Sequence, residues 1–470
     1  MGMDSFRPPR RPTVGVRIAA RAVGAGLSRG PVYRLAAVLL SAALAGACAT
    51  PAPPAASSAG TTSSAPVQSS ATAPAAPTPP STPSATAAAT PAPAVAEWHR
   101  SPGTPPPADW LHTPPVLALH LGSRFILDSR HALGVEVPVW TSTDGLSWER
   151  ASRSDPSGLG TDLWMYAMIP GGPGLIAVGE DQNDPPTESV EHVWTSTDGQ
   201  VWTTVASSTC RTGLNLCGIH LIGSNRAGFV MFGITPADAQ VSPPATWVSV
   251  DAEHWNLVTS GSADEVSANA QAVLSSDDAV TAFLSRGADQ PPEVWRSEDL
   301  VHWRRLAVLP GPPAGGHLMA VRGPRGLVVT DRTRSIWASV DGLEWHRTAI
   351  PAVTWIDGLV ADSMGFIATG FREGGSGCSS DFVGKSFVSA DGRAWTMVPE
   401  QPTFSSASIN ALFVDRDTVI GVGSKGSRNG TGVIWTADRS ALDALMTAAP
   451  AAATGKPTSP SPQPTPGCPG

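Results

Sequence analysis

Between residues 95 and 446 the chain alternates apolar and polar side chains in short runs. "PVWTS", "HVWTS", "ATWVS", "EVWRS" and "SIWAS" switch character at almost every residue, the two-residue period of a strand rather than a helix. Ahead of each run lies a second recurring element: "GLIAVG", "GFVMFG", "AVTAFLS", "GLVVTD", "GFIATG" or "TVIGVG". Before that comes a weaker strand, for example "GIHLIG" or "HLMAVR", and after the alternating run a turn leads into a Trp-led segment. The pattern predicts a unit of four antiparallel strands.

The turn is the most regular part of the unit. "SxDxxxW" occurs at Ser142/Asp144/Trp148, Ser196/Asp198/Trp202, Ser249/Asp251/Trp255, Ser297/Asp299/Trp303, Ser339/Asp341/Trp345 and Ser389/Asp391/Trp395. The aspartates are 42 to 54 residues apart, a period that belongs to solenoids, arrays or propeller blades. Asp and Ser oxygens accept from turn N–H groups, the Gly after four of the aspartates tolerates positive φ, and the closing Trp supplies apolar area. Four strands per unit then give one propeller blade.

A seventh unit runs from "SINALFV" through "TVIGVG" to "VIWTADRSALDAL", where Thr436 and Asp438 resemble the turn but the closing Trp is missing. "AEWHRS" around Trp98 matches "LEWHRT" around Trp345, so the N-terminal strand is expected to complete the last blade and remove its open edge. The predicted fold is all-β: a seven-bladed β-propeller of four-stranded antiparallel blades over residues 95–446.

Composition sets the flanks apart. Residues 1–47 carry seven arginines and the apolar run "LAAVLLSAALAGA" before Cys48; basic residues, a short apolar stretch and small residues read as an export signal, and the run is too short to span a bilayer. It resembles a bacterial lipoprotein lipobox, with Leu44 one place earlier than usual, which implies lipidation at Cys48. The expected location is extracytoplasmic, as a membrane-anchored lipoprotein at the cell surface, or alternatively secreted. Residues 48–94 are almost entirely Ala, Pro, Ser and Thr, and residues 447–470 form a Pro-rich tail; neither can bury enough apolar surface to order itself. Cys210 and Cys217 are the favoured disulfide. Cys378 and Cys468 are left for each other, or Cys468 stays free.

Without the leader the chain has 24 basic and 38 acidic side chains, a net of −14 that repels nucleic acid. Only Lys385, Lys425 and Lys456 are lysines; with so much Ala, Gly and Pro this is the composition of a GC-rich, actinobacterial-like genome. A monomer is expected.

On the six SxDxxxW turns the sequence resembles the Asp-box, or bacterial neuraminidase repeat, family, with Asp144, Asp198, Asp251, Asp299, Asp341, Asp391 and, less completely, Asp438 as its box aspartates. The resemblance implies the propeller fold and a sialidase-like superfamily. It implies little about activity, because such boxes lie remote from the catalytic centre and recur in glycosidases, assembly factors and receptors. Sialidase chemistry asks for an arginine triad, a Tyr nucleophile with a Glu partner, an acid/base Asp and an early "[FY]RIP". The only tyrosines are Tyr33 and Tyr166, no "[FY]RIP" occurs, and "SRFILD" is the nearest stretch. Tyr166 in "LWMYAMI" reads as a packed strand aromatic, and no catalytic residue is assigned.

Strand alternation puts the SxDxxxW turns on one face and the connections between strands 2 and 3, and between blades, on the other. Trp164 and Trp355 fall on that other face with the acidic residues Asp162, Glu180 and Asp181, and these five are the candidate ligand contacts, although packing between blades also accounts for the two tryptophans. The histidines, among them His120, His131, His192, His254, His302 and His317, are scattered; no metal and no cofactor is expected. The expected function is a non-catalytic binding or scaffold module for a glycan or protein ligand. A divergent glycoside hydrolase or lyase, and an assembly factor for an envelope complex, are the alternatives.

Overall fold

A computed structural model describes residues 96–106, 117–128, 131–132, 139–154, 163–181, 190–209, 216–235, 243–287, 290–311, 317–350, 353–373, 382–426 and 431–448. The leader with Cys48, the Ala/Pro/Ser/Thr-rich segment, the tail from residue 449, Trp110, Asp162, Cys210, Cys378 and Cys468 lie outside them. Seven sheets are present: five have four antiparallel strands in chain order, one takes its outermost strand from the N-terminal end, and one is extended to six strands by His131–Ala132 at its inner edge and by Ser152–Arg153, paired parallel, at its outer edge. Blade 1 comprises Leu117–Leu121, Arg124–Asp128, Val139–Ser142 and Glu149–Arg150. Its six successors open with Leu163–Gly171, Cys217–Asn225, Ala270–Ser275, Met319–Gly323, Trp355–Ala361 and Ala407–Val414. In blade 7 the outermost position, beside Thr431–Asp438, is taken by Trp98–Arg100, with Trp98 opposite Ala437.

The first strands of successive blades pack against one another in cyclic order, and that of blade 7 packs against that of blade 1. They therefore surround a central channel: the fold is a seven-bladed β-propeller.

Hydrophobic burial follows the ring. Phe125, Leu127 and Trp148 of blade 1 cluster with Phe413, Ile420 and Ile434 of blade 7; Ile126 packs with Leu175, Ala177 and Trp194 of blade 2. Equivalent clusters fill the other interfaces. Second strands lie in mid-sheet between two neighbours and are mostly apolar at their centres for that reason: Leu175, Ile176, Ala177 and Val178 are all fully buried. Each wedge of apolar side chains between sheets replaces the single core that a chain of this length does not form.

The SxDxxxW turns hold as local hydrogen-bonded units. In blade 1, Asp144 Oδ1 accepts from Leu146 N and Ser147 N, both at 2.8 Å, Ser142 Oγ accepts from Gly145 N at 2.8 Å, and Trp148 Nε1 donates to Gly145 O at 3.0 Å. The same indole-to-carbonyl bond recurs from Trp202, Trp255, Trp303, Trp345 and Trp395. The residue after the aspartate has positive φ in all six turns, including Ala252 and Leu300, which stand where the others have glycine.

Two helices depart from the sequence reading. Helix α1 (Gly261–Asn269) occupies the connection from blade 3 to blade 4, burying Ala263, Val266 and Ser267. Ser267 Oγ donates to Ala245 O at 2.6 Å and accepts from Gly233 N at 3.2 Å, tying the helix to blade 3. Helix α2 (Arg439–Ala448) stands where a seventh turn was expected and extends two residues past 446. Asp438 does not fold a hairpin there: its Oδ1 accepts from Ala441 N at 2.9 Å and from Ser440 Oγ, so it acts as the helix N-cap. The amphipathic "ALDALM" buries Ala441, Leu442 and Met446 against blades 6 and 7, and Arg439 pairs with Asp362 of blade 6 through both Nε and Nη2.

Candidate functional site: the central channel mouth

Inner strands run from the connection face toward the turn face, so their first residues ring the mouth on the connection face. Five of the seven depart from regular pairing near that end. The register shifts between Met165 and Ala167, Cys217 and Leu221, Ala270 and Ala272, Ile356 and Gly358, and Ile409 and Ala411. Such bulges re-aim a side chain that strand alternation would otherwise place in a sheet interface. The residues in the irregular positions include Tyr166, His220, Gln271, Asp357 and Asn410. Four of them, His220, Gln271, Asp357 and Asn410, line a cavity of about 720 Å³ in the channel.

The cavity also takes in Arg332, His317 and aliphatic side chains such as Leu221, Leu318 and Leu412. Its volume lies within the roughly 300–1,000 Å³ typical of small-ligand sites. Arg332 comes from the short turn between strands 2 and 3 of blade 5. There it has φ +62°, its N–H donates to Thr330 Oγ1 at 3.1 Å and its carbonyl accepts from Ile356 N at 2.8 Å. Its Nη2 donates to Asp357 Oδ1 across the blade 5 to blade 6 boundary at 3.3 Å. Both side chains are nearly enclosed, 10% and 4% exposed, and Arg332 Nε is buried with no hydrogen-bond partner.

Burial lowers the Arg332 guanidinium, with Asp357 opposing the shift. The Asp357 carboxyl is pushed up to about 6 by burial, with Arg332 opposing. Each ion is thus desolvated and only partly compensated by the other. Half-buried His220 is shifted down by burial, and Gly218 O, 3.2 Å from its Nδ1, works against the shift.

The five predicted contacts are placed as follows. Trp355 opens the inner strand of blade 6, two residues before Asp357, and is 43% exposed at the rim. Trp164 is half-buried, and the short strand His131–Ala132 pairs with the inner strand of blade 2, with His131 opposite Trp164. Half-buried Glu180 is paired across strands with Glu191, Asp181 stands opposite Leu163 and Val190, and Asp162 is outside the described residues. Trp355 thus shares a strand with Asp357 without being among the residues that line the cavity, while Trp164 and Glu180 form a separate group with Tyr166 and Glu191.

In that group Glu191 is fully buried and pushed up to about 8, first by burial and then by Glu180; Gly218 N donates to its Oε1 at 2.7 Å. The Tyr166 hydroxyl is raised by burial, by its hydrogen bond to Glu180 and by the charges of Glu180 and Glu191.

Sequence reasoning missed Arg332, Asp357, His220, Gln271, His317 and Asn410. A signal existed for Arg332: the connection "TDRTRS" is short and carries three charged residues. Among the described residues no group of three or more His, Cys, Asp or Glu is placed to hold a metal ion. Cys217 is in a disulfide; Cys210, its expected partner, lies outside the described residues.

No protein-family model and no curated protein matches the chain. Among solved structures it is similar to a Trypanosoma rangeli sialidase in complex with sialic acid, at 11% identity and a TM-score of 0.36, over 72% of this chain and 56% of that one. The same sialidase in complex with 2,3-difluorosialic acid, described as a covalent intermediate, gives 10% identity and a TM-score of 0.35 over 71% and 55%. The chain thus spans little more than half the length of these structures. At such distances no residue role passes from them to this chain.

Proposed function

We propose that this propeller is a binding module that receives a saccharide in its central channel from the face opposite the SxDxxxW turns. The observation that carries the reading is the Arg332–Asp357 pair: two desolvated ions with hydrogen-bonding capacity to spare, in a cavity large enough for a ligand. Trp355 at the rim offers an aromatic surface, and Gln271, Asn410 and His317 offer further polar groups. Export and lipid attachment at Cys48 belong to the same reading, with residues 48–94 as the tether that holds the propeller off the membrane.

The test is a glycan array probed with the chain lacking residues 1–47, beside its Arg332→Met/Asp357→Leu variant. Binding by the first that is lost in the second supports the reading; no binding, or binding unchanged in the variant, refutes it. Metabolic labelling with palmitate, abolished by Cys48→Ala, tests the anchor. Hydrolysis is the weaker reading. Two-carboxylate glycoside cleavage needs an acid and a nucleophile or base on either side of the bond, and Asp357 is the single carboxylate among the described residues that line the cavity.

A further inference from the structure

We infer that the saccharide is uncharged, with neighbouring hydroxyls of one ring spanning Arg332 and Asp357. This rests on the channel-binding reading and narrows it.

Charge balance comes first. Among the described lining residues, Arg332 is the one guanidinium and Asp357 the one carboxylate, and they already touch. A carboxylated sugar reaching Arg332 would bring a second anion beside Asp357 into a nearly enclosed space, where like charges repel strongly. An aminated, cationic sugar would meet Arg332 in the same way. A neutral ligand disturbs neither ion.

Hydrogen-bond capacity comes second. A guanidinium carries five donors and a carboxylate about four acceptor sites. Here a single bond of 3.3 Å joins the two side chains, and Arg332 Nε is left without an acceptor. A hydroxyl is donor and acceptor at once. Two on adjacent ring carbons can therefore accept from Arg332 while donating to Asp357, a combination that neither an isolated carboxylate nor an isolated ammonium supplies. Gln271 and Asn410 carry amides with the same double character, and Ser408 Oγ already donates to Asn410 Oδ1, which leaves the amide N–H groups for a ligand.

The third element is shape. The walls between the polar groups are Leu221, Leu318, Leu359 and Leu412, surfaces for the C–H faces of a ring. The exposed indole of Trp355 stands two residues from Asp357 on the same strand. The left-handed backbone at Arg332 fits the same picture, since strain of this kind is retained where the surroundings hold a side chain in place for use.

The experiment is isothermal titration of the full mature chain with matched pairs of oligosaccharides that differ only by one acidic sugar. Lactose with 3′-sialyllactose is one pair, and N-acetyllactosamine with its 3′-sialylated form is another. The expected result is that a neutral member binds and its acidic counterpart is at least about tenfold weaker. Asp357→Asn should weaken the neutral ligand about tenfold and narrow or invert the preference, because Arg332 is then no longer neutralised. Arg332→Met/Asp357→Leu should abolish binding while the protein keeps its melting temperature, since apolar replacement of a buried pair is often neutral or stabilising.

Tighter binding of the acidic member by the unaltered protein overturns the inference and leaves the binding reading standing. An Asp357→Asn variant with unchanged preference also overturns it. If no member of any pair binds, the binding reading itself falls.

Discussion

Substituting Ala for Gly145 or Gly342 separates two costs that coincide in the SxDxxxW turns. Both glycines have positive φ, +70° and +79°, so either substitution incurs the left-handed penalty of roughly 1–2 kcal/mol, partly offset by about 0.4–1 kcal/mol of lost freedom in the unfolded chain. They differ in what the new methyl meets. At Gly342 the nearest atom is Leu327 Cδ1 at 3.4 Å, an ordinary contact; at Gly145 the methyl collides with Ile420 Cδ1 of blade 7.

Ile420 is 3% exposed within the blade 7 to blade 1 cluster, so it has little room to turn away, and overpacking adds about 1–3 kcal/mol. Gly342→Ala should therefore cost about 1 kcal/mol and Gly145→Ala about 2–4 kcal/mol. At about 2 °C per kcal/mol for a domain of this size, calorimetry should show melting temperatures lowered by about 2 °C and by about 4–8 °C. Ile420→Val removes the colliding atom, so Gly145→Ala/Ile420→Val should be more stable than the sum of the single effects by about 1–2 kcal/mol. Equal shifts for the two glycines, or strict additivity in the double variant, would refute the idea that the turn locks one blade onto the preceding one.

Three further outcomes are expected. Glu191 holds its proton more tightly in the folded state, about 8 against an ordinary 4.5, so its contribution to stability is greatest at low pH and is lost as pH rises between those values. Glu191→Gln should raise the melting temperature at pH 8, by an amount equivalent to about 2–4 kcal/mol, and change little at pH 5; an equal effect at both pH values would refute the assignment. Trp98→Ala should cost about 3–5 kcal/mol by calorimetry, since the indole is 1% exposed, packs on Phe404 and donates from Nε1 to Ser386 Oγ at 2.9 Å. Arg439→Ala should cost about 3 kcal/mol by the same measurement, because it strands the enclosed Asp362 carboxylate, and adding Asp362→Asn should recover part of the loss.

Much of the architecture was legible because it is encoded locally. A turn whose donors, acceptors and closing indole lie within seven consecutive residues leaves the same trace each time it is used, and the spacing of those traces counts the blades. Helix α2 was misread for a related reason: Asp438 with a serine two residues on satisfies a helix N-terminus as readily as a hairpin, and the missing Trp was the discriminating residue. The site was less legible because its parts meet only across blades. Asp357 sits in "WIDGLV", which reads as an ordinary alternating strand, and only the shift of register between Ile356 and Gly358 places it in the cavity. The inner strand that carries Trp164 pairs with residues 131–132, and nothing in the alternation of "LWMYAMI" carries that pairing.

Three of the left-handed non-glycine residues, Ala252, Leu300 and Arg332, divide in the same way. Ala252 and Leu300 adopt it inside SxDxxxW turns, where both are buried against the preceding blade. In these two turns a histidine, His254 or His302, also places its Nδ1 2.8 or 2.7 Å from the second oxygen of the turn aspartate. Strain there is offset by packing and by an additional bond, so it has a structural explanation. Arg332 has the same backbone conformation but puts a cation, not a hydrocarbon, into the interior, and its one ionic partner is itself desolvated. Burial of that pair adds to the cost of the strain instead of offsetting it. Of these three left-handed residues, Arg332 is thus the one that brings a charge into the interior, as the proposed use of the cavity requires.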